Sequence, residues 1–182
     1  MHLSTALLTA LTTLATALPT NYTNAPGAST NNPTDFLLLT TTSPDPRTNS
    51  TLLPNANLTS LFDPLAQTNY LLRLTGPGYN TLPRFNLTSD GTLETEAAGP
   101  HGVGEFEYNS TRVAAGEELM FAPAKQGKGN LALEGGFLLT VGGEREGWRV
   151  CEGDLGQQVV SWKGNDSSCT DTYVQAVQNP PY

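Results

Sequence analysis

Histidine is nearly missing from this chain. His2 and His101 are the only two in 182 residues. The commonest general base near neutral pH is therefore almost absent. His101 sits in "AAGPHGVGEF", where flanking glycines read as a loop, and a lone histidine makes no metal site without Cys or carboxylate ligands beside it. Positive charge is also scarce: nine Lys and Arg face 17 Asp and Glu, a formal net charge of −8. Such a surface repels nucleic acid and anionic lipid, so neither is expected as a partner. The nucleophile elbow G-x-S-x-G does not occur. "AKQGKGN" holds Gly127-Lys128 but lacks the earlier glycine and the Ser/Thr of a phosphate loop. No metal and no cofactor are expected.

Charged residues make up only 14% of the chain, while Thr, Asn, Gly and Pro abound. Solubility then rests on uncharged polar groups. From Leu3 to Leu18 the residues are only Leu, Ala, Ser and Thr. This run is shorter than the roughly 20 apolar residues of a membrane span. It has the form of a secretory core followed by small residues, and Ala15 and Ala17 place cleavage after Ala17. Residues 1–17 are read as a signal peptide. His2 would leave with it. The end "AVQNPPY" lacks the apolar tail of a lipid-anchor signal, so no membrane anchor is expected.

Two further features agree with export. Sequons N-x-[ST] stand at Asn21, Asn49, Asn57, Asn86, Asn109 and Asn165, about twice the roughly three that chance predicts for this composition. All six are candidate glycan sites. The two cysteines, Cys151 and Cys169, suit one disulfide in an oxidising compartment.

About 165 residues follow the leader, one domain's worth. Residues 18–33 are Asn, Thr, Pro, Ala and Gly and bury too little apolar surface to fold, so they read as a disordered polar leader. A single β domain is expected over 34–182, interrupted at 43–68 by a Pro/Asn-rich insert with one helical turn near Leu58–Phe62. The rest is strand-like in short, evenly spaced runs: 34–42, 70–75, 84–89, 92–96, 105–109, 117–122, 130–134, 137–141, 148–151, 158–162 and 172–177. Gly, Pro or Asn separates most of them, and no segment holds a 3.6-residue period. Asp90-Gly91 predicts a two-residue type I′ hairpin. The fold class expected is all-β: an antiparallel sandwich or barrel of about ten short strands, with a β-trefoil as the alternative.

Paired carboxylates are the one pattern with catalytic overtones. Glu94 and Glu96 share a strand face, as do Glu105 and Glu107. If the two strands pair, the four can converge, and a glycosidase needs two such groups about 5 to 10 Å apart in one cleft. The economical reading puts Phe106 and Tyr108 in the core and the glutamates in water. Likewise Glu144, Arg145 and Glu146 read as a solvated hairpin tip. Trp148 and Trp162 are expected to pack as apolar anchors beneath the cysteine bridge, with an exposed sugar-stacking pair as the alternative.

Taken in order, "FLLLTTT", "DGTLETE", a glycine-rich middle, "GGFLLTVGG" and the closing "WRVCEG…QVVSWKG…C" resemble small secreted proteins of filamentous fungi. The family is the phialide-associated cell wall protein, also described as IgE-binding-like. The likeness covers residues 84–177, and the 43–68 insert departs from it. It implies a wall-associated protein without a catalytic centre, and it implies the Cys151–Cys169 pairing. The function expected is that of a secreted, N-glycosylated, non-enzymatic extracellular or wall protein. Its partners would be wall polysaccharide or other secreted proteins. The alternatives are a small carbohydrate-active enzyme built on the glutamates, or a secreted effector or allergen-like protein.

Overall fold

The computed structural model describes residues 34–46, 53, 55–64, 69–76, 78, 82–99 and 102–179. Thirteen strands are formed: β1 (Leu37–Thr41), β2 (Asn57–Phe62), β3 (Tyr70–Thr75), β4 (Asn86–Leu87), β5 (Leu93–Ala98), β6 (Glu105–Ser110), β7 (Met120–Ala122), β8 (Leu131–Glu134), β9 (Leu138–Val141), β10 (Trp148–Glu152), β11 (Gln158–Trp162), β12 (Thr170–Asp171) and β13 (Tyr173–Val177). The protein is all-β and antiparallel, as its turn spacing predicts. The strands join in one sheet in the order β4-β5-β6-β7-β3-β2-β1-β13-β9-β8, with β11 branching from β3 and carrying β10 and β12. The sheet is not closed into a barrel. One bridge, Phe36 with Phe85, brings the β4 end back against the chain entering β1. Among the described residues no helix is long and apolar enough to cross a membrane.

The segment 43–68 differs from expectation. Asn57–Phe62 is strand β2 and not a helical turn, and it pairs along its length with β3. Leu58, Thr59 and Ser60 are buried. Thr59 Oγ1 donates to the Leu38 carbonyl at 2.8 Å, and Arg73 Nε donates to Ser60 Oγ at 3.2 Å. Those tertiary partners let polar residues enter the sheet interior at little cost.

β1 explains the unbroken "FLLLTT" run. All five of its residues are buried. Leu38, with the preceding Phe36, joins the main core, while Leu37 and Leu39 join a second cluster with Leu53, Leu58 and Val177. A strand covered on both faces needs no alternation. The main core centres on Trp148, Tyr108, Phe85, Phe121 and Leu72. Trp148 and Trp162 face each other in the β10–β11 register, edge to face with centroids 5.1 Å apart. Both are buried, as anchors and not as a platform.

The hairpin at Asp90-Gly91 exists, but its turn is longer than predicted. Thr88 N–H donates to Thr92 O and Gly91 N–H to Thr88 O, which leaves three residues in the loop. Only Gly91 takes positive φ, at 78°, whereas a type I′ turn needs it at both central positions. The loop is a type I turn closed by a left-handed glycine. Its tip docks on residues 129–131: Gly129 N–H donates to Asp90 O and Leu131 N–H to Gly91 O, both at 2.9 Å. A Cβ at Gly129 would overlap the Gly91 carbonyl, so this contact requires glycine.

Candidate functional site

β5 and β6 pair as the sequence suggests, with Glu94 opposite Asn109, Glu96 opposite Glu107 and Ala98 opposite Glu105. Gly99 N–H bonds Gly104 O, which makes the odd residues of β5 the hydrogen-bonded rungs with β6. Glu96 and Glu107 therefore form a non-hydrogen-bonded pair, the type whose side chains approach most closely, with Cα atoms about 4.5 Å apart. Like charges at such a pair repel. Glu94 is half-buried, and Glu96, Glu105 and Glu107 are exposed. Asn109, on the same face, is buried and donates Nδ2 to Glu107 Oε1 at 2.9 Å. An amide fixed in the sheet thus aims one of the carboxylates.

All four glutamates line one open cleft of about 740 Å³, together with Asp35, Ser60, Leu61, Tyr70, Arg84 and Asn86. The cleft exists because β4 stops early. Two residues further along the β4–β5 register, Arg84 would stand opposite Glu96. Instead residues 84 and 85 leave β5. Phe85 exchanges backbone bonds with Phe36, and Arg84 Nη1 reaches Asp35 O at 2.8 Å and its carboxylate at 3.3 Å. The even residues of β5 point toward β4, since Thr92 O is bonded from that side. The Glu96 peptide therefore opens on the gap. The next even carbonyl, Ala98, is taken by Tyr70 OH at 2.9 Å and Tyr108 OH at 3.2 Å. The two tyrosine rings meet edge to face at 4.9 Å. Burial, with Asp63 second, raises Tyr70 above the usual tyrosine value; burial, then Tyr70 and Asp63, does so for Tyr108. Both hydroxyls stay protonated donors.

Tyr108 faces the core as expected, but Phe106 does not. It is 48% exposed, folded over the Gly99–Gly104 tip, where any side chain on Gly99 would overlap its ring. Of the other candidates, Glu144 pairs with Lys163 at 2.6 Å and Arg145 with Glu134 at 3.7 Å, both on the surface. His101 lies outside the described residues. Among the described residues no group of three or more His, Cys, Asp or Glu could hold a metal ion.

The Cys151–Cys169 disulfide is present. It borders a second cleft of about 450 Å³ that also contains Glu118. Glu118 is raised above the ordinary glutamate range, by burial first and then by Asp154. Sequence pattern gave no sign of this, because desolvation comes from β11 and the Gly153 turn. The folded state therefore favours the protonated form. Its contribution to stability is full below the unfolded glutamate pKa, about 4.3, and is lost as pH rises through the raised folded value. Melting curves are expected to show this loss in the wild type. Glu118→Gln should flatten that part of the pH profile, and an unchanged profile would refute the assignment.

The sequons divide sharply. Asn21 and Asn49 lie outside the described residues. Asn57, Asn86 and Asn165 are exposed. Asn86 Oδ1 accepts Asp35 N–H at 2.9 Å. Asn109 differs from them: its side chain is buried and its Nδ2, the atom a glycan occupies, is bonded to Glu107. Glycopeptide mapping of secreted, folded protein is expected to find Asn109 unmodified. A glycan at Asn109 in natively folded material would contradict the β5–β6 packing.

No protein-family model, no curated protein and no solved structure matches this chain.

Proposed function

We propose that this is an exported, N-glycosylated, non-enzymatic protein that associates with extracellular wall polysaccharide through the β5–β6 cleft. The observation that carries the reading is the cleft's lining: carboxylates from two adjacent strands and the open Glu96 peptide. Acceptors and donors spread along an open groove suit the hydroxyls of an extended sugar chain better than a small enclosed ligand. The leader at 1–17, the sequons and the resemblance to phialide-associated wall proteins support export and wall association. The disulfide agrees with an oxidising compartment.

The test is retention of purified glycoprotein on insoluble glucan and chitin. Binding to at least one is expected, and no retention on either overturns the proposal. A carbohydrate-active enzyme is the second reading, because four carboxylates do share one cleft. It stands second because a general acid needs burial to hold its proton, and Glu96, Glu105 and Glu107 are exposed. Release of soluble sugar from glucan or chitin, abolished in Glu94→Gln, would reverse that order.

A further inference from the structure

We infer that a glycan on Asn86 lies across the β5–β6 cleft and screens it from ligand, so the cleft is occluded by the protein's own sugar. This rests on the reading of an exported, polysaccharide-binding glycoprotein and adds its regulation. Asn86 is the first residue of β4, is exposed, and stands on the cleft wall. Of its two amide atoms only Oδ1 is engaged, by Asp35 N–H at 2.9 Å. Nδ2, the atom that takes the sugar, makes no hydrogen bond among the described residues. Glycosylation leaves Oδ1 free to accept, so the Asp35 bond survives attachment. Asp35 is itself held by Arg84, through its carbonyl at 2.8 Å and its carboxylate at 3.3 Å. The sugar therefore starts from a fixed amide. Asn109 is the opposite case, with Nδ2 buried and bonded.

The sheet register sets what that sugar covers. Asn86 is paired with Glu94, and Glu94 with Asn109. Glu96 and Glu107 form the next rung on the same face of β5 and β6. β6 is two strand spacings from Asn86, about 10 Å, which the two stem sugars of an N-glycan span. Beyond Asn86 no β4 residue stands against Glu96, because residues 84 and 85 leave β5. The stem has open space over Glu96, and its hydroxyls can donate charge-assisted bonds to the carboxylates. Asn86 also borders a smaller depression of about 400 Å³ with Asp90 and Lys125. Asp35, which grips the amide, lines the larger cleft and not the smaller one. A sugar tethered at the wall has a millimolar effective concentration. Against weak, millimolar-scale sugar contacts it lowers apparent affinity for a free chain about threefold or more, without sealing the cleft. The other exposed sequons are placed differently. Asn57 lies on β2 outside the cleft lining, and Asn165 lies beside the disulfide.

The test uses the full protein secreted from a eukaryotic host, as wild type, Asn86→Asp and Thr88→Val. Both variants abolish the sequon through different residues, and Asn86→Asp keeps an oxygen for Asp35 N–H. Glycopeptide mapping of the wild type is expected to find Asn86 occupied. Carbodiimide labelling, read by mass spectrometry, should modify Glu96 and Glu107 about threefold faster or more in both variants. Glu146, exposed between β9 and β10, serves as the unchanged reference. Both variants should also be retained about threefold more tightly on insoluble glucan or chitin. Enzymatic removal of glycans from native wild type gives the same comparison without a substitution, should a variant melt early. An unmodified Asn86 overturns the inference, as does equal labelling of Glu96 and Glu107 with and without the sugar. Protection that falls on Asp90 instead also overturns it, because the sugar then lies over the smaller depression. Equal retention of sugar-bearing and sugar-free forms overturns the screening. The expected labelling with no retention of any form removes the polysaccharide reading and leaves the glycan in the cleft.

Discussion

Trp148→Ala is expected to cost about 4 kcal/mol. Truncating a buried tryptophan removes its transfer free energy and leaves a cavity, together about 3–5 kcal/mol. Trp148 is fully buried and packs on Trp162. Its Nε1 donates to the Leu139 carbonyl at 2.9 Å, which joins β10 to β9, a strand it does not pair with. The substitution therefore also strands a buried acceptor. For a domain of this size the melting temperature should fall by roughly 8–16 °C. Urea or thermal melts followed by circular dichroism measure it. Trp148→Phe, which keeps the ring and loses the donor, should fall between. A loss below about 1 kcal/mol for Trp148→Ala would show that the β9–β10 contact is not part of the core.

Removing the disulfide is expected to cost about 3 kcal/mol. Cys151 and Cys169 are 18 residues apart in sequence, and a loop of that size gives about 3 kcal/mol in the chain-entropy model. The bridge joins β10 to the chain entering β12, which pairs with β10 at only two positions, Arg149 with Asp171 and Val150 with Thr170. So short a strand has little else to hold it. Arg149 adds a 2.8 Å ion pair to Asp171 and a 2.7 Å bond to Gly164 O, but exposed pairs contribute little. Cys151→Ala/Cys169→Ala and reduced wild type should melt together, about 6–12 °C below the oxidised protein. Identical melting of reduced and oxidised wild type would show the bridge to be energetically idle.

Much of this fold is legible in the residues. Tyr70–Thr75 and Gln158–Trp162 match their predicted runs end to end, because aliphatic and β-branched residues there are bounded by turn formers. β2 is not legible. "NLTSLF" follows Pro and Asn, and the burial of Thr59 and Ser60 depends on Leu38 and Arg73, which are distant in sequence. The glutamate cluster shows in the alternation of β5 and β6, but the cleft around it does not. Its shape depends on where β4 ends, and that depends on Phe85 pairing with Phe36 in place of β5. Asn109 is hidden for a related reason. Its tripeptide reads as a surface acceptor site, and only the packed sheet reveals an interior amide. Phe106 follows the strand's alternation in sequence yet lies outside the core, since the bare backbone of Gly99 gives its ring another place to rest.

The buried asparagine of the Asn-Ser-Thr sequon at 109–111 has a consequence for timing. In an export pathway, sugar transfer acts on the emerging chain before the sheet is complete. A chain that acquires a sugar at this asparagine cannot seat the amide beside Glu107, so β6 cannot zip fully onto β5. Folding of the central hairpin must outpace the transferase, and molecules that lose this race should be held back for quality control. On the proposed export route the sequon would separate swift folders from slow ones during biogenesis and leave no trace on the finished surface.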